Sequence, residues 1–163
     1  MQYSCLNKND IVNGEGVCVS FWVQGCPIRC IGCHNASIWD FNGGKEFTPS
    51  TISEITQAIN ANGIQRNFSI LGGEPLCEEN VFLTTLVIQE VRKVYPDIKI
   101  YLWTGYYYKD LLKRNDSHLN YIFNNINYLI EGPFIQEQRD ITLKLRGSRN
   151  QHILVMPQGE VIE

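Results

Sequence analysis

The chain has 163 residues, of which 44% are hydrophobic, and it carries a formal net charge of -3. This length and composition predict one domain over residues 1–163 with a real hydrophobic core, and the absence of excess positive charge disfavours bulk nucleic-acid binding. The longest apolar run, residues 17–23, is far shorter than the roughly 20 residues that cross a bilayer, and the amino end lacks a secretory pattern. We therefore expect a cytoplasmic protein with no membrane partner.

Short apolar runs alternate with helical patterns along the chain, which indicates an α/β domain. The predicted strands are residues 17–24, 68–71, 98–103, 127–130 and 152–156. Between the first three strands the sequence predicts two helices, over residues 48–63 and about 79–95. Further helical sequence precedes the fourth strand.

Glycine-rich and polar segments follow the first four predicted strands. They are residues 24–26, 72–75, 104–106 and 131–133. Ligands and catalytic groups collect at the carboxyl ends of parallel strands, so we expect these four segments to converge. A closed eight-stranded barrel takes about 250 residues and seldom fewer than 200. The prediction is therefore a partial, open (β/α) barrel of about five or six mainly parallel strands, whose open side could admit a polypeptide substrate.

Cys26, Cys30 and Cys33 form a C-x3-C-x2-C triplet in the run GCPIRCIGCHN. Three thiolates can hold three irons of an iron-sulfur cube and leave the fourth without a protein thiolate. A metal centre that does chemistry keeps such a position free for a small molecule, whereas a centre for plain electron transfer takes four cysteines. The triplet therefore indicates a cluster that binds a reactant at iron.

Structural zinc is the main alternative for the same triplet. A closed zinc site needs four ligands, but Cys5, Cys18 and Cys77 are isolated and form no second pair. His34 directly follows Cys33, so both side chains could bind the same ion only with a strained geometry. Six cysteines are about 4% of the chain, too few for a disulfide scaffold. From spacing alone, a cluster, a zinc site and coincidence all remain open.

The segment Gly72-Gly73-Glu74-Pro75 follows the second predicted strand. Two glycines without Cβ atoms let the backbone approach a ligand within hydrogen-bond range, and the proline stiffens the exit. A tight turn from strand to helix is the plain alternative.

The cysteine triplet after the first strand, paired with GGEP after the second, resembles the radical S-adenosylmethionine superfamily. The segments NGEGVCVSFWVQGCPIRCIGCHN, LGGEPL, IYLWTGY, YLIEGPF and RGSRNQHI resemble more closely its glycyl-radical-enzyme activating group, in the branch that serves anaerobic ribonucleoside-triphosphate reductases. The likeness runs from about residue 11 to residue 157.

This resemblance implies an oxidoreductase with two cofactors. Cys26, Cys30 and Cys33 would hold a [4Fe-4S] cluster whose fourth iron binds the amino and carboxylate groups of S-adenosylmethionine. An electron from the cluster would cleave the cofactor to methionine and a 5'-deoxyadenosyl radical. That radical would take a hydrogen atom from a glycine of the reductase large subunit and leave a glycyl radical there. A flavodoxin- or ferredoxin-type protein is the expected electron donor.

The resemblance also implies backbone contacts to the cofactor. Gly32, Cys33 and His34 would meet its adenosyl part, and Gly72, Gly73 and Glu74 its methionine amino group. Since relatives often have aspartate at the Glu74 position, either the carboxylate or only the backbone could make that contact. We assign no catalytic residue beyond the cluster ligands, and no role to Tyr106, Arg146 and Arg149.

Two other functions stay open at this point. One is activation of another glycyl-radical enzyme, of the formate-lyase type. The other is a non-enzymatic module that binds zinc or an iron-sulfur cluster and leaves S-adenosylmethionine intact.

Overall fold

Four parallel strands form the centre of the sheet in the computed structural model, which describes residues 1–163. They are β2 (Cys18–Val23), β4 (Asn67–Gly72), β5 (Ile100–Trp103) and β6 (Tyr128–Glu131). Each is a run rich in branched and aromatic residues, as expected of strands covered on both faces. The sequence predicted all four with small errors at their ends.

Antiparallel strands extend the sheet on both sides. These strands are β1 (Gln2–Asp10), β3 (Lys45–Glu46), β7 (His152–Val155) and β8 (Glu160–Val161). The order across the sheet is β3-β1-β2-β4-β5-β6-β7-β8, and β3 and β8 are its free edges.

Two parts of the fold prediction need correction. The sheet has eight strands instead of five or six, and four of its seven pairings are antiparallel, so "mainly parallel" is wrong. The sheet is not closed, and the partial barrel is not confirmed. What the structure shows is one open, mixed α/β sheet.

Four helices connect or cover the strands. They are α1 (Pro49–Ile59), α2 (Val81–Val94), α3 (Tyr108–Leu112) and α4 (Ser117–Asn125). Thr48 precedes α1, and its side chain and that of Thr51 form a reciprocal capping box. The α1, α2 and α4 helices bury one face each against the sheet in a core of 26 residues. None of the helices combines the length and the apolar character that crossing a membrane requires.

The missed strand β1 has the sequence QYSCLNKND, in which few residues are apolar. Its weak alternation gives no strand signal, and its pairing with β2 supplies the stability that its own composition lacks.

Candidate metal centre

The carboxyl ends of the four parallel strands meet at one cavity of about 160 Å³. The segments that follow β2, β4, β5 and β6 all line it, so the predicted convergence is confirmed. Gln151 joins them because β7 runs antiparallel and brings its amino end to the same edge. The lining of the cavity includes Cys26, Cys30, Cys33, Asn35, Trp39, Gly72, Gly73, Glu74, Thr104 and Phe134.

The segment between β2 and β3 carries the three cysteines; we call residues 24–39 the cysteine loop. Its ends are tied together, since Gly25 N donates to Ile38 O at 2.8 Å and Cys26 N to Trp39 O at 3.1 Å. Inside the loop Arg29 and Gly32 have positive φ angles of 53° and 79°, which let the chain turn tightly. The loop therefore folds back over the cavity.

A backbone N–H group is directed at each of the three thiols. Asn35 N donates to Cys33 Sγ at 3.4 Å. Burial raises the pKa of the Cys26 and Cys30 thiols, while N–H groups of Ile28 and Arg29 lower that of Cys26 and the N–H of Phe134 lowers that of Cys30. Such donors stabilise thiolate ligands and tune the potential of a cluster.

The donor set at the cavity is one ligand short of a closed zinc site, which takes four. No fourth thiol is present there, because Cys5 lies exposed on β1 and Cys18 and Cys77 do not line the cavity. The donor set therefore fits a cluster with one open iron.

Two further features of the cavity fit a bound group. Trp39 lines it, and the indole Nε1 of Trp39 is buried without any hydrogen-bond acceptor in the chain. The half-buried Gly73 also lines the cavity, and its carbonyl accepts no backbone hydrogen bond. Buried polar groups are normally paired, so the Trp39 indole offers a contact to a ligand, and the Gly73 carbonyl is a free acceptor.

The GGEP segment and the cysteine loop are joined through their backbones. Gly73 N donates to Val23 O at 3.0 Å and Glu74 N to Gly25 O at 2.8 Å. A Cβ on Gly73 would collide with the Gly25 carbonyl, so the close approach requires glycine.

The Glu74 carboxylate is buried, and its hydrogen-bonding capacity is used within the protein. Its Oε1 accepts from Leu76 N at 2.9 Å and Thr104 Oγ1 at 2.7 Å, and its Oε2 from Gly105 N at 2.6 Å. Burial raises the pKa of Glu74 to about 7, against the lowering effect of these donors. The side chain thus joins the ends of β4 and β5.

The His34 side chain lies outside the cavity that the three thiols line. Its ring does not line the cavity; it lies in a neighbouring groove, tilted against Phe134 with ring centroids 6.1 Å apart. Asn35 does orient the loop, since its Nδ2 donates to Gly72 O at 3.2 Å. Cys33 lines the cavity. Gly32 does not line it, but a Cβ on Gly32 would be 3.4 Å from the ring of Phe134, which does.

Asn80 is a residue of the site that the sequence analysis did not identify. This side chain is 5% exposed, and its Nδ2 donates to the carbonyls of Gln24, Gly25 and Glu74 at 3.0, 3.3 and 3.0 Å. Asn80 directly precedes α2, but its side chain makes no capping hydrogen bond there. Thr104 was likewise unassigned, although it follows a predicted strand end.

Comparison with known proteins agrees with this geometry. Residues 12–154 match a family model described as a 4Fe-4S single cluster domain. The chain is similar to proteins named anaerobic ribonucleoside-triphosphate reductase-activating protein. That of Haemophilus influenzae is 37% identical over 154 residues, which cover 94% of this chain and 97% of the relative. That of Escherichia coli K12 is 36% identical, with 93% and 96% covered, and that of phage T4 is 33% identical, with 94% and 93% covered. The chain therefore belongs to the family of anaerobic ribonucleoside-triphosphate reductase-activating proteins, which carries a 4Fe-4S single cluster domain.

Proposed function

We propose that this chain activates an anaerobic ribonucleoside-triphosphate reductase by generating a glycyl radical on its large subunit. The observation that carries the proposal is one cavity lined by three thiols, without a fourth, and by the glycine backbone after β4. A reduced [4Fe-4S] cluster with S-adenosylmethionine on its open iron would supply the reductive cleavage whose product takes a hydrogen atom from the glycine Cα. The names of the relatives support the reductase as partner.

The cysteine loop would hold the cluster through Cys26, Cys30 and Cys33. Backbone N–H groups of Ile28 and Arg29 in this loop, and of Phe134 after β6, lower the pKa of the Cys26 and Cys30 thiols against the larger raising effect of burial. Together with the N–H of Asn35 toward Cys33, they would offset part of the cost of burying thiolates. The free indole N–H of Trp39 is a further donor toward the same cavity.

The backbone of Gly72, Gly73 and Glu74 would bind the amino group of the cofactor. Of the two contacts left open by the sequence, the carboxylate of Glu74 is already used by Thr104, Gly105 and Leu76. The Gly73 carbonyl has no partner and is an acceptor well suited to an ammonium group.

Backbone atoms of Gly32, Cys33 and His34 would meet the adenosyl part. Phe134 lines the cavity, and its ring lies near Gly32, so it would pack on the adenine.

Anoxic reconstitution with iron and sulfide tests the proposal. After reduction by dithionite, the protein should release methionine and 5'-deoxyadenosine from S-adenosylmethionine. On mixing with the reductase, a glycyl signal should appear in electron paramagnetic resonance spectra. A protein that holds a full cluster and leaves the cofactor intact would contradict the proposal. A signal with a formate-lyase-type enzyme and none with the reductase would contradict the assigned partner.

A further inference from the structure

A loop rich in cations lies between β6 and β7. Residues 139–149, which we call the basic loop, contain the four cations Arg139, Lys144, Arg146 and Arg149 and the single carboxylate Asp140, in a chain of net charge -3. None of the four cations forms a salt bridge. Asp140 is engaged locally, by the backbone N and Oγ1 of Thr142. With four cations and one carboxylate, the loop carries a net positive charge.

The basic loop has a fixed position. Arg149 N donates to Gln138 O at 2.9 Å, and Asp140 N donates to Gly147 O at 3.1 Å, which closes the base of the loop. Trp103 Nε1 donates to Leu145 O at 2.9 Å and ties the loop to the end of β5. The cations are thus displayed on an ordered surface.

This surface lies next to the cysteine loop. A groove is lined by His34 of the cysteine loop and by Arg139, Ile141 and Arg146 of the basic loop. Two apolar side chains are unusually exposed in these segments, Ile31 at 85% and Ile141 at 84%. Cations around exposed apolar groups are typical of a site for an acidic protein partner.

The groove is separate from the cofactor cavity. No residue lines both, so the groove can be covered while the cavity stays open to a glycine of the reductase. His34 adjoins Cys33, so a protein seated on the groove would lie close to a cluster held by the three thiols. Electron transfer rates fall steeply with distance, so a position this near would favour transfer of an electron to that cluster.

Resting on the proposed function, we propose that the basic loop and the adjoining groove dock an acidic one-electron carrier protein. In the docked complex the carrier loses one electron and the cluster gains one, from its 2+ to its 1+ state, and no proton or atom is transferred. The positive surface steers the carrier, and Ile31 and Ile141 provide apolar contact.

The test compares two electron sources. Cluster reduction is followed by visible absorbance in stopped flow, with either reduced flavodoxin of net negative charge or dithionite. Arg139→Glu/Lys144→Glu should slow reduction by flavodoxin about ten-fold or more at low salt, and the difference should shrink at high salt. Reduction by dithionite should be unchanged. Calorimetric affinity for oxidised flavodoxin should fall in parallel.

Two further variants make the outcome decisive. Arg139→Gln/Lys144→Gln should give an intermediate loss, which guards against misfolding by charge reversal. Lys93→Glu/Lys99→Glu makes the same change in net charge at the opposite edge of the parallel strands and should match wild type. Unchanged flavodoxin kinetics, equal loss in the control, or equal loss with dithionite would each overturn the docking proposal. Failure of wild-type protein to cleave the cofactor with dithionite would instead overturn the proposed function.

Discussion

Asn80 joins the two loops that build the cavity, and its replacement tests that role. The carboxamide Nδ2 has two hydrogens and reaches three carbonyl oxygens, those of Gln24, Gly25 and Glu74. Alanine removes the donor and leaves these carbonyls partly unsatisfied. Aspartate keeps the shape of the side chain but places oxygen where the donor was.

The number of hydrogen bonds made by Asn80 determines how much stability each variant should lose. With the loss of about two buried hydrogen bonds, Asn80→Ala should lower the free energy of unfolding by about 2–4 kcal/mol. Asn80→Asp should cost about 1–3 kcal/mol more, because a buried carboxylate would face carbonyl oxygens without a donor. The expected order of stability is wild type, then alanine, then aspartate.

Urea unfolding of the cluster-free protein at one pH measures this order. Asn124→Asp is the matched control, since Asn124 is exposed and donates only to Asn120 O within α4. It should change stability by less than about 1 kcal/mol. If Asn80→Asp were as stable as Asn80→Ala, or if both cost less than about 1 kcal/mol, the amide would not be joining the loops.

Three other predictions concern the same cavity. Alanine in place of any one of the three cluster cysteines should abolish iron retention after desalting. Cys5→Ala, which changes an exposed residue of β1, should retain the cluster. If the Cys5 variant also lost its iron, the ligands would be misassigned. Burial raises the pKa of Glu74 from 4.5 to about 7, so the folded protein binds the carboxyl proton more tightly than the unfolded chain does. The free energy of unfolding should therefore fall by up to about 3 kcal/mol as the pH rises from about 4.5 to 7. Glu74→Gln should lack that component in urea titrations, and an unchanged pH slope would refute the assignment. Gly73→Ala should displace the Gly25 carbonyl and lower the free energy of unfolding by about 1–3 kcal/mol. Cluster retention and cofactor affinity should both decrease. A variant that lost only cofactor affinity would contradict the predicted clash between the new Cβ and the Gly25 backbone.

Local patterns predicted the central strands because each is a short run of branched and aromatic residues. Strand direction is not encoded in such runs, so the prediction of mainly parallel strands did not anticipate that β7 runs antiparallel to β6. The sequence before β7 held a clue, since residues 132–151 show no helical pattern of the kind that a parallel crossover uses. The strand β1 escaped detection because partner strands, rather than its own residues, stabilise it.

The candidate site was predictable where chemistry follows from residue type and spacing. The cysteine triplet and GGEP carry that information, and strand ends predicted their convergence. The contacts of Asn80 and Glu74 could not be read in this way. Asn80 bonds to Gln24, 56 residues away, and Glu74 to Thr104, 30 residues away, so these bonds exist only after the sheet has formed.

The central claim is that three thiolates of the cysteine loop hold a [4Fe-4S] cluster whose remaining iron takes S-adenosylmethionine. Low-temperature electron paramagnetic resonance of the reconstituted, reduced protein tests it most directly. We predict the signal of a reduced four-iron cluster whose g values change when S-adenosylmethionine is added. A signal that stays the same at saturating cofactor, or a protein that binds zinc and no iron, would contradict the account.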